Sequence, residues 1–280
     1  MDAEAYRRVS HELWEAMAPG WERWRAQLAD ALTPVRGWLI RELAPRSGET
    51  VLELGAGTGE TGFEAAALLG GDGRMISTDF SPEMVEVARR RGVELGLSNV
   101  DYRVIDAERI ELDAGSVDGV LCQSAYMLVA DPAAALADTR RVLRPGGRLA
   151  LSVWGAPERN PWVSIGVMIL VERGHIPPPE PGAPGIFSLA SEERIGALLD
   201  GAGFGSVRTE QVPVRFVFSN LADYERWVLD VSGPLAVVVR GLPEDERAVL
   251  RGRLAEAFAP FSAGEGYELP GVALCAVGAR

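Results

Sequence analysis

"VLELGAGTGE" occupies residues 51–60, a short apolar run that passes directly into glycines at 55, 57 and 59. Such a run, closed by small turn-forming residues and followed by an amphipathic stretch, predicts a buried strand handing over to a helix. Glycines at that junction let the backbone approach a ligand closely, and the start of the helix turns amide N–H groups toward it. Two ligand classes use turns of this kind: dinucleotides and other adenosine cofactors. The dinucleotide fingerprint sets its third glycine three positions after the second, and Glu60 stands there instead. Glu53, two residues before the first glycine, would likewise oppose a pyrophosphate, whereas it suits a ligand ammonium.

The pattern continues outward from the turn. "RMISTDF", "VDYRVIDA", "VDGVLCQS" and "RLALSVWG" are further short apolar runs, each separated from the next by an amphipathic or turn-rich stretch. Strands alternating with helices imply a parallel sheet covered on both faces. Asp79 ends the second of these strands, where a carboxylate can accept both hydroxyls of a ribose. The next helix already has Ser81 as its cap and Pro82 at its first position, which leaves Asp79 for a ligand.

Taken in order, "VLELGAGTGETG", "ISTDFSPEMVEVAR", "VIDAERIEL" and "SVDGVLCQSAYMLVADPAAALADTRRVLRPGGRLALSVW" resemble the successive motifs of class I S-adenosylmethionine (SAM)-dependent methyltransferases. The similarity is greatest to the branch related to ubiquinone and menaquinone biosynthesis, and it is dense over residues 50–155. It implies a Rossmann-like three-layer α/β sandwich: a mostly parallel seven-stranded sheet with an antiparallel last strand, plus N-terminal and C-terminal helical additions. By the same resemblance Glu53, Gly55, Ala56 and Gly57 hold the methionyl end of SAM, and Asp79 holds the ribose. Phe80 and Met84 flank the adenine, Asp106 and Ala107 meet its amino edge, and Gln123 and Trp21 lie beside the methyl group. S-adenosylhomocysteine is the product so implied.

Composition sets the outer limits. The 280 residues, 47% of them hydrophobic, suffice for a full core. A formal charge of −12 argues against nucleic acid, whose phosphates call for basic surface, and for a small-molecule methyl acceptor. There is no lysine, which removes Schiff-base chemistry and a Tyr/Lys hydride-transfer site. Cys122 and Cys275 make no metal-ligand spacing, so no metal is expected. The start of the chain lacks an apolar segment, and no window reaches the ~18 apolar residues of a membrane helix, so the expectation is a cytoplasmic protein away from membranes.

Residues 1–45 read as a helical cap, broken into two helices at Pro19 and Gly20; 46–155 as the cofactor-binding core; and 156–280 as an acceptor-side loop and helices with the last two strands of the same sheet. The proline-rich stretch 176–185 reads as a loop. A hydroxyl acceptor would want a base, for which His11 on the cap and Tyr126 after the fourth strand are the candidates, His175 being assigned to the loop. Trp24, Trp154, Asn160 and Trp162 are expected to line the acceptor pocket, beneath a lid formed by the N-terminal helices. An NAD(P)-dependent oxidoreductase of similar fold and a SAM-binding protein without methyltransferase activity are the alternatives.

Overall fold

A computed structural model describes residues 2–180 and 182–280. Two helices lead, α1 (Ala3–Ala31) and α2 (Thr33–Leu43). The alternating core follows: β1 (Thr50–Leu54), α3 (Glu60–Leu69), β2 (Arg74–Asp79), α4 (Pro82–Glu94), β3 (Val100–Val104), β4 (Val117–Gln123), α5 (Pro132–Val142) and β5 (Leu143–Trp154). Beyond it come α6 (Pro161–Glu172), α7 (Glu192–Gly201), β6 (Gly205–Phe218), α8 (Leu221–Val231), α9 (Gly233–Gly241), α10 (Glu244–Phe258), β7 (Ser262–Ala263) and β8 (Gly266–Ala279).

The sheet order is β3-β2-β1-β4-β5-β8-β6, with the short β7 paired to β8. β1 to β5 run parallel, and β8 lies antiparallel to both β5 and β6. This is the expected sheet of seven main strands with the last one reversed, extended by the two residues of β7. Because the chain steps one way from β1 to β3 and the other way from β4 to β5, right-handed crossovers put α3 and α4 on one face and α5 on the other. α2 packs beside α3, and α7 beside α5, completing the two outer layers. Coverage on both faces explains why Val51, Leu52 and Leu54 of β1 are all fully buried.

The order of the strands reverses between β1 and β4, and at such a switch point a crevice opens outside the carboxyl ends. Leu54, Asp79, Val104 and Gln123, the last residues of β1, β2, β3 and β4, therefore share one edge.

The expected break at Pro19 and Gly20 does not occur. α1 runs unbroken through Pro19 and stops at Leu32, after which Thr33 and Pro34 open α2. Proline costs α1 one N–H, but the middle of the helix is fastened to the end of α8. Gly20 is so close to α8 that a Cβ there would lie 2.1 Å from the Asp230 carbonyl oxygen. The indole N–H of Trp21 donates to the Val231 carbonyl (3.1 Å) and that of Trp24 to Asp230 Oδ2 (2.8 Å). Ser191 caps α7 as expected, accepting from the Arg194 amide at 3.1 Å. The stretch 176–185 has neither helix nor strand among its described residues, and position 181 lies outside them. No described helix is long and apolar enough to cross a membrane.

Candidate cofactor site at the carboxyl edge

The glycine turn is built as a cradle. Gly55 adopts φ 63°, and a Cβ there would sit 2.5 Å from that of Ala125, on the segment after β4. Gly57 adopts φ 55° and its missing Cβ faces open space. Both conformations are costly for any residue with a side chain.

Three amides of this turn are spent inside the protein. Ala56 N–H donates to the Thr78 carbonyl (2.8 Å), Gly59 N–H to the Ala56 carbonyl (2.9 Å), and Gly57 N–H to Asp79 Oδ2 (3.0 Å). In the first turn of α3, Gly62 N–H donates to Glu53 Oε1 at 2.7 Å. Glu60 opens that helix with a carboxylate, tied to Thr58 Oγ1 and, at 3.1 Å, to Arg25 of α1. Several of the donors a pyrophosphate would need are thus already taken, and the helix start carries negative charge.

Glu53 corrects the expectation made for it. It is 2% exposed, its second oxygen accepts from Ser77 Oγ at 3.0 Å, and it fills the space over Gly62, where a Cβ would come within 2.1 Å of Oε2. Burial pushes its carboxyl up to about 8. It stitches β1, β2 and α3 together beneath the turn and does not face a ligand ammonium.

Asp79 lies at the tip of β2, its second oxygen accepting from the Ser81 amide at 3.0 Å. Burial raises its carboxyl, against the lowering effects of its backbone hydrogen bonds and of His11. Each oxygen keeps a lone pair for a further donor. Phe80 is half-buried beside it. Met84 is fully buried with Ala18 and Val87, roofed by Trp14 and Trp21, so its expected place against an adenine is filled by α1 instead. Asp106 and Ala107 follow β3 and are half-buried, with Asp106 Oδ1 accepting from the Glu108 amide at 2.9 Å. Gln123 ends β4, its Oε1 accepting from Thr61 Oγ1 at 2.9 Å, which leaves its amide NH2 uncommitted.

The expected bases fare differently from the cradle. Tyr126 is 0% exposed, its hydroxyl held 2.5 Å from Thr139 Oγ1 of α5, and burial lifts its phenol well above the ordinary range. It is a core residue. His11 is half-buried and meets Phe80 edge-on, ring centroids 5.5 Å apart, which puts it at the Asp79 side of the edge. His175 is bonded to Glu246 of α10 at 3.0 Å.

The expected acceptor wall is also core. Asn160 is fully buried, donating to the Gly155, Ala156 and Val272 carbonyls and accepting from Trp162 Nε1 and Val272 N–H. Trp154 and Trp162 pack with Phe216 in one aromatic cluster that Trp227 joins through Trp162 and Phe216. Trp21 and Trp24 spend their N–H groups on α8 and so fasten α1 to it.

What sequence reasoning missed is how α1 crosses the edge. Tyr6 donates its hydroxyl to the Leu128 carbonyl after β4 (2.8 Å), Arg7 pairs with Glu108 after β3 (2.6 Å), and Glu15 accepts from Ser81 Oγ after β2 (2.9 Å). With Arg25 on Glu60 after β1, one helix bonds to the segments that follow all four strands. These partners are 35 to 122 residues apart, and no local pattern announces them.

A family model described as "Methyltransferase domain" matches residues 45–161. A 37.1 kDa protein in transposon TN4556 of Streptomyces fradiae is 38% identical over 59% of this chain, a match spanning 46% of its own length. The chain thus spans less than half of that relative. The demethylmenaquinone methyltransferase of Clavibacter sepedonicus is 31% identical over 66% of this chain and 72% of its own. In three dimensions the YcgJ protein of Bacillus subtilis superposes with a TM-score of 0.59 at 20% identity, over 88% of this chain and 97% of that one. Fold, glycine cradle and a relative matched over most of its length agree: the chain belongs to the S-adenosylmethionine-dependent methyltransferases.

Proposed function

We propose that this protein transfers a methyl group from SAM to a small apolar or aromatic molecule. The observation that carries the reading is the glycine turn, three of whose amides are already bonded to Thr78, Asp79 and Ala56. A turn with those donors committed and the Glu60 carboxylate at the helix start suits a cofactor without phosphates and disfavours a dinucleotide. When bound, SAM supplies a methyl group on a positively charged sulfur, open to in-line attack by a nucleophile.

The chain's own residues hold and orient. Gly55 and Gly57 give the methionyl end close approach, and Asp79 receives the ribose hydroxyls on its remaining lone pairs. Phe80 covers one adenine face, and Asp106 and Ala107 meet its amino edge. Gln123, at the tip of β4, borders the reacting end with a free amide. α1 closes the edge from above and excludes water, as a cover would.

Neither Tyr126 nor His175 is free to take a proton at the tip of β4, and His11 stands at the Asp79 side. Catalysis therefore rests mainly on holding donor and acceptor in attack geometry, which can supply ~7–11 kcal/mol of a barrier. An acceptor that is already nucleophilic needs no more. The name of the Clavibacter relative, a demethylmenaquinone methyltransferase, favours a flat, greasy acceptor of that kind.

Calorimetric titration with SAM, S-adenosylhomocysteine and NAD tests the cofactor reading. Both sulfur compounds are expected to bind and NAD to give no heat; NAD binding without SAM binding would defeat it.

A further inference from the structure

Glu108 has no role in the account so far, yet more strong donors converge on it than on any cofactor residue named above. Its side chain is 6% exposed. Oε2 accepts from Arg7 Nε (3.0 Å) and the Ala130 amide (3.1 Å); Oε1 accepts from Arg7 Nη2 (2.6 Å) and the Asp131 amide (2.8 Å). Each oxygen thus takes one guanidinium N–H and one backbone N–H. Three segments meet at this carboxylate: the start of α1, the loop after β3 that carries Asp106 and Ala107, and the loop after β4.

α1 divides in two by what holds it. From Met17 onward it is fastened to the acceptor-side helices: Met17 Sδ accepts from the Gly233 amide (2.7 Å), Gly20 abuts Asp230, and Trp21 and Trp24 bond the end of α8. Before Met17 no residue of the helix is fully buried. That arm is held across the carboxyl edge by Tyr6, Arg7 and Glu15, by the His11 ring on Phe80 and by Trp14 packed over Met84 and Val87. Pro19, two residues into the anchored part, has no N–H to give the Glu15 carbonyl, so the helix ladder lacks one bond across the boundary between arm and anchor.

We propose that Glu108 is a positioning residue: it receives the fork of Arg7 and so locks the arm of α1, residues 2–16, over the adenine and ribose end of the SAM site. The inference rests on the cofactor reading above. Opening the arm breaks only the Arg7 half of the cluster. Glu108 keeps its two backbone donors, so the loops after β3 and β4 stay in place, and Arg7, already 41% exposed, passes easily into water. A two-pronged, charge-assisted contact of which one partner is easily solvated makes a latch that can open and reclose.

The test is the release of radiolabelled SAM from the whole protein, chased with unlabelled SAM, in parallel with hydrogen exchange of the ligand-free protein. Arg7→Ala is expected to release SAM about tenfold faster, with Arg7→Lys between it and the parent because it keeps the charge and loses the fork. Amides of residues 3–16 should exchange faster in Arg7→Ala while those of β1 to β5 do not. Glu108→Gln should speed release as well, and Arg7→Ala/Glu108→Gln should be no faster than the faster single variant. Unchanged release in Arg7→Ala, from a protein that binds SAM normally, overturns the latch and leaves the cofactor reading intact. So does faster exchange spread over the whole sheet, which marks a purely structural ion pair. A parent protein that holds no SAM defeats the cofactor reading, and the latch with it.

Discussion

Gly57 donates its backbone N–H to Oδ2 of Asp79 at 3.0 Å, so the carboxylate proposed for the ribose also holds the turn proposed for the methionyl end. Oδ1 accepts from the Ser81 amide, which fixes the same side chain to the start of α4. Asp79→Ala removes an acceptor from the ligand and from two backbone donors at once. SAM binding should weaken by ~1.5–3 kcal/mol, the worth of hydrogen bonds to a charged group, and the ligand-free protein should lose ~1–3 kcal/mol for its orphaned amides. Calorimetry and a denaturant melt read the two terms separately. A lower melting point with an unchanged dissociation constant would make Asp79 structural alone.

Glu53 gives a pH dependence of defined sign. In the unfolded chain its carboxyl titrates near the usual 4.5, and burial in the fold lifts it to about 8. Between those values the folded protein keeps a proton that the unfolded chain has lost. The stability tied to this group is therefore complete below the lower value and drains away as pH rises through the upper one. Glu53→Gln mimics the protonated form, since its carbonyl can accept from Gly62 N–H and its amide can donate to Ser77 Oγ. Thermal melts of parent and variant should nearly coincide at acid pH and separate in alkaline buffer, where the parent should be weaker by on the order of 1–3 kcal/mol. Equal melting temperatures across the range would mean that Glu53 is ionised when buried.

Two glycine replacements on neighbouring helices should have opposite signs. A Cβ at Gly20 meets the Asp230 carbonyl oxygen at 2.1 Å, whereas a Cβ at Gly37 of α2 meets nothing within 4 Å. Gly20→Ala should cost ~1–3 kcal/mol by overpacking the crossing of α1 with α8. Gly37→Ala, in a helix interior with room to spare, should add ~0.5–1 kcal/mol. Urea melts of both variants check the pair.

Tyr126→Phe separates a core role from a catalytic one. The hydroxyl is bonded to Thr139 Oγ1, which retains its own bond to the Ala135 carbonyl at 2.8 Å when the phenol is lost. Stability should drop by ~0.5–1.5 kcal/mol while the turnover number holds. A loss of turnover by two orders of magnitude would return Tyr126 to the mechanism.

The sheet and its cofactor edge were legible because their signals are local. Apolar runs, the glycines at 55, 57 and 59, the Ser81 cap and Asp79 at a strand tip each depend on a few consecutive residues. Side-chain direction was less legible. Glu53, Met84, Tyr126, Asn160 and Trp162 stand beside ligand positions in sequence but turn into the core, where they are largely or wholly buried. A motif fixes the position of a backbone and not which way its side chains point. The course of α1 was misread because Pro19 is a local breaker, and the bonds from α8 that overrule it join residues more than 200 apart. Glu108 was missed for the same reason: its partners come from a helix 101 residues away and a loop beyond the next strand.

The most direct test of the central claim is to incubate the protein with SAM labelled in its methyl group and an extract containing small molecules, proteins and nucleic acids, then to fractionate the label. The account predicts label in the small-molecule fraction, in a compound that partitions into organic solvent and is heavier than its precursor by one methyl replacing one hydrogen, and none with heat-inactivated protein. Label confined to protein or nucleic acid would contradict the acceptor class. SAM bound but never consumed, across extracts rich in quinones, phenols and other apolar metabolites, would contradict methyl transfer itself.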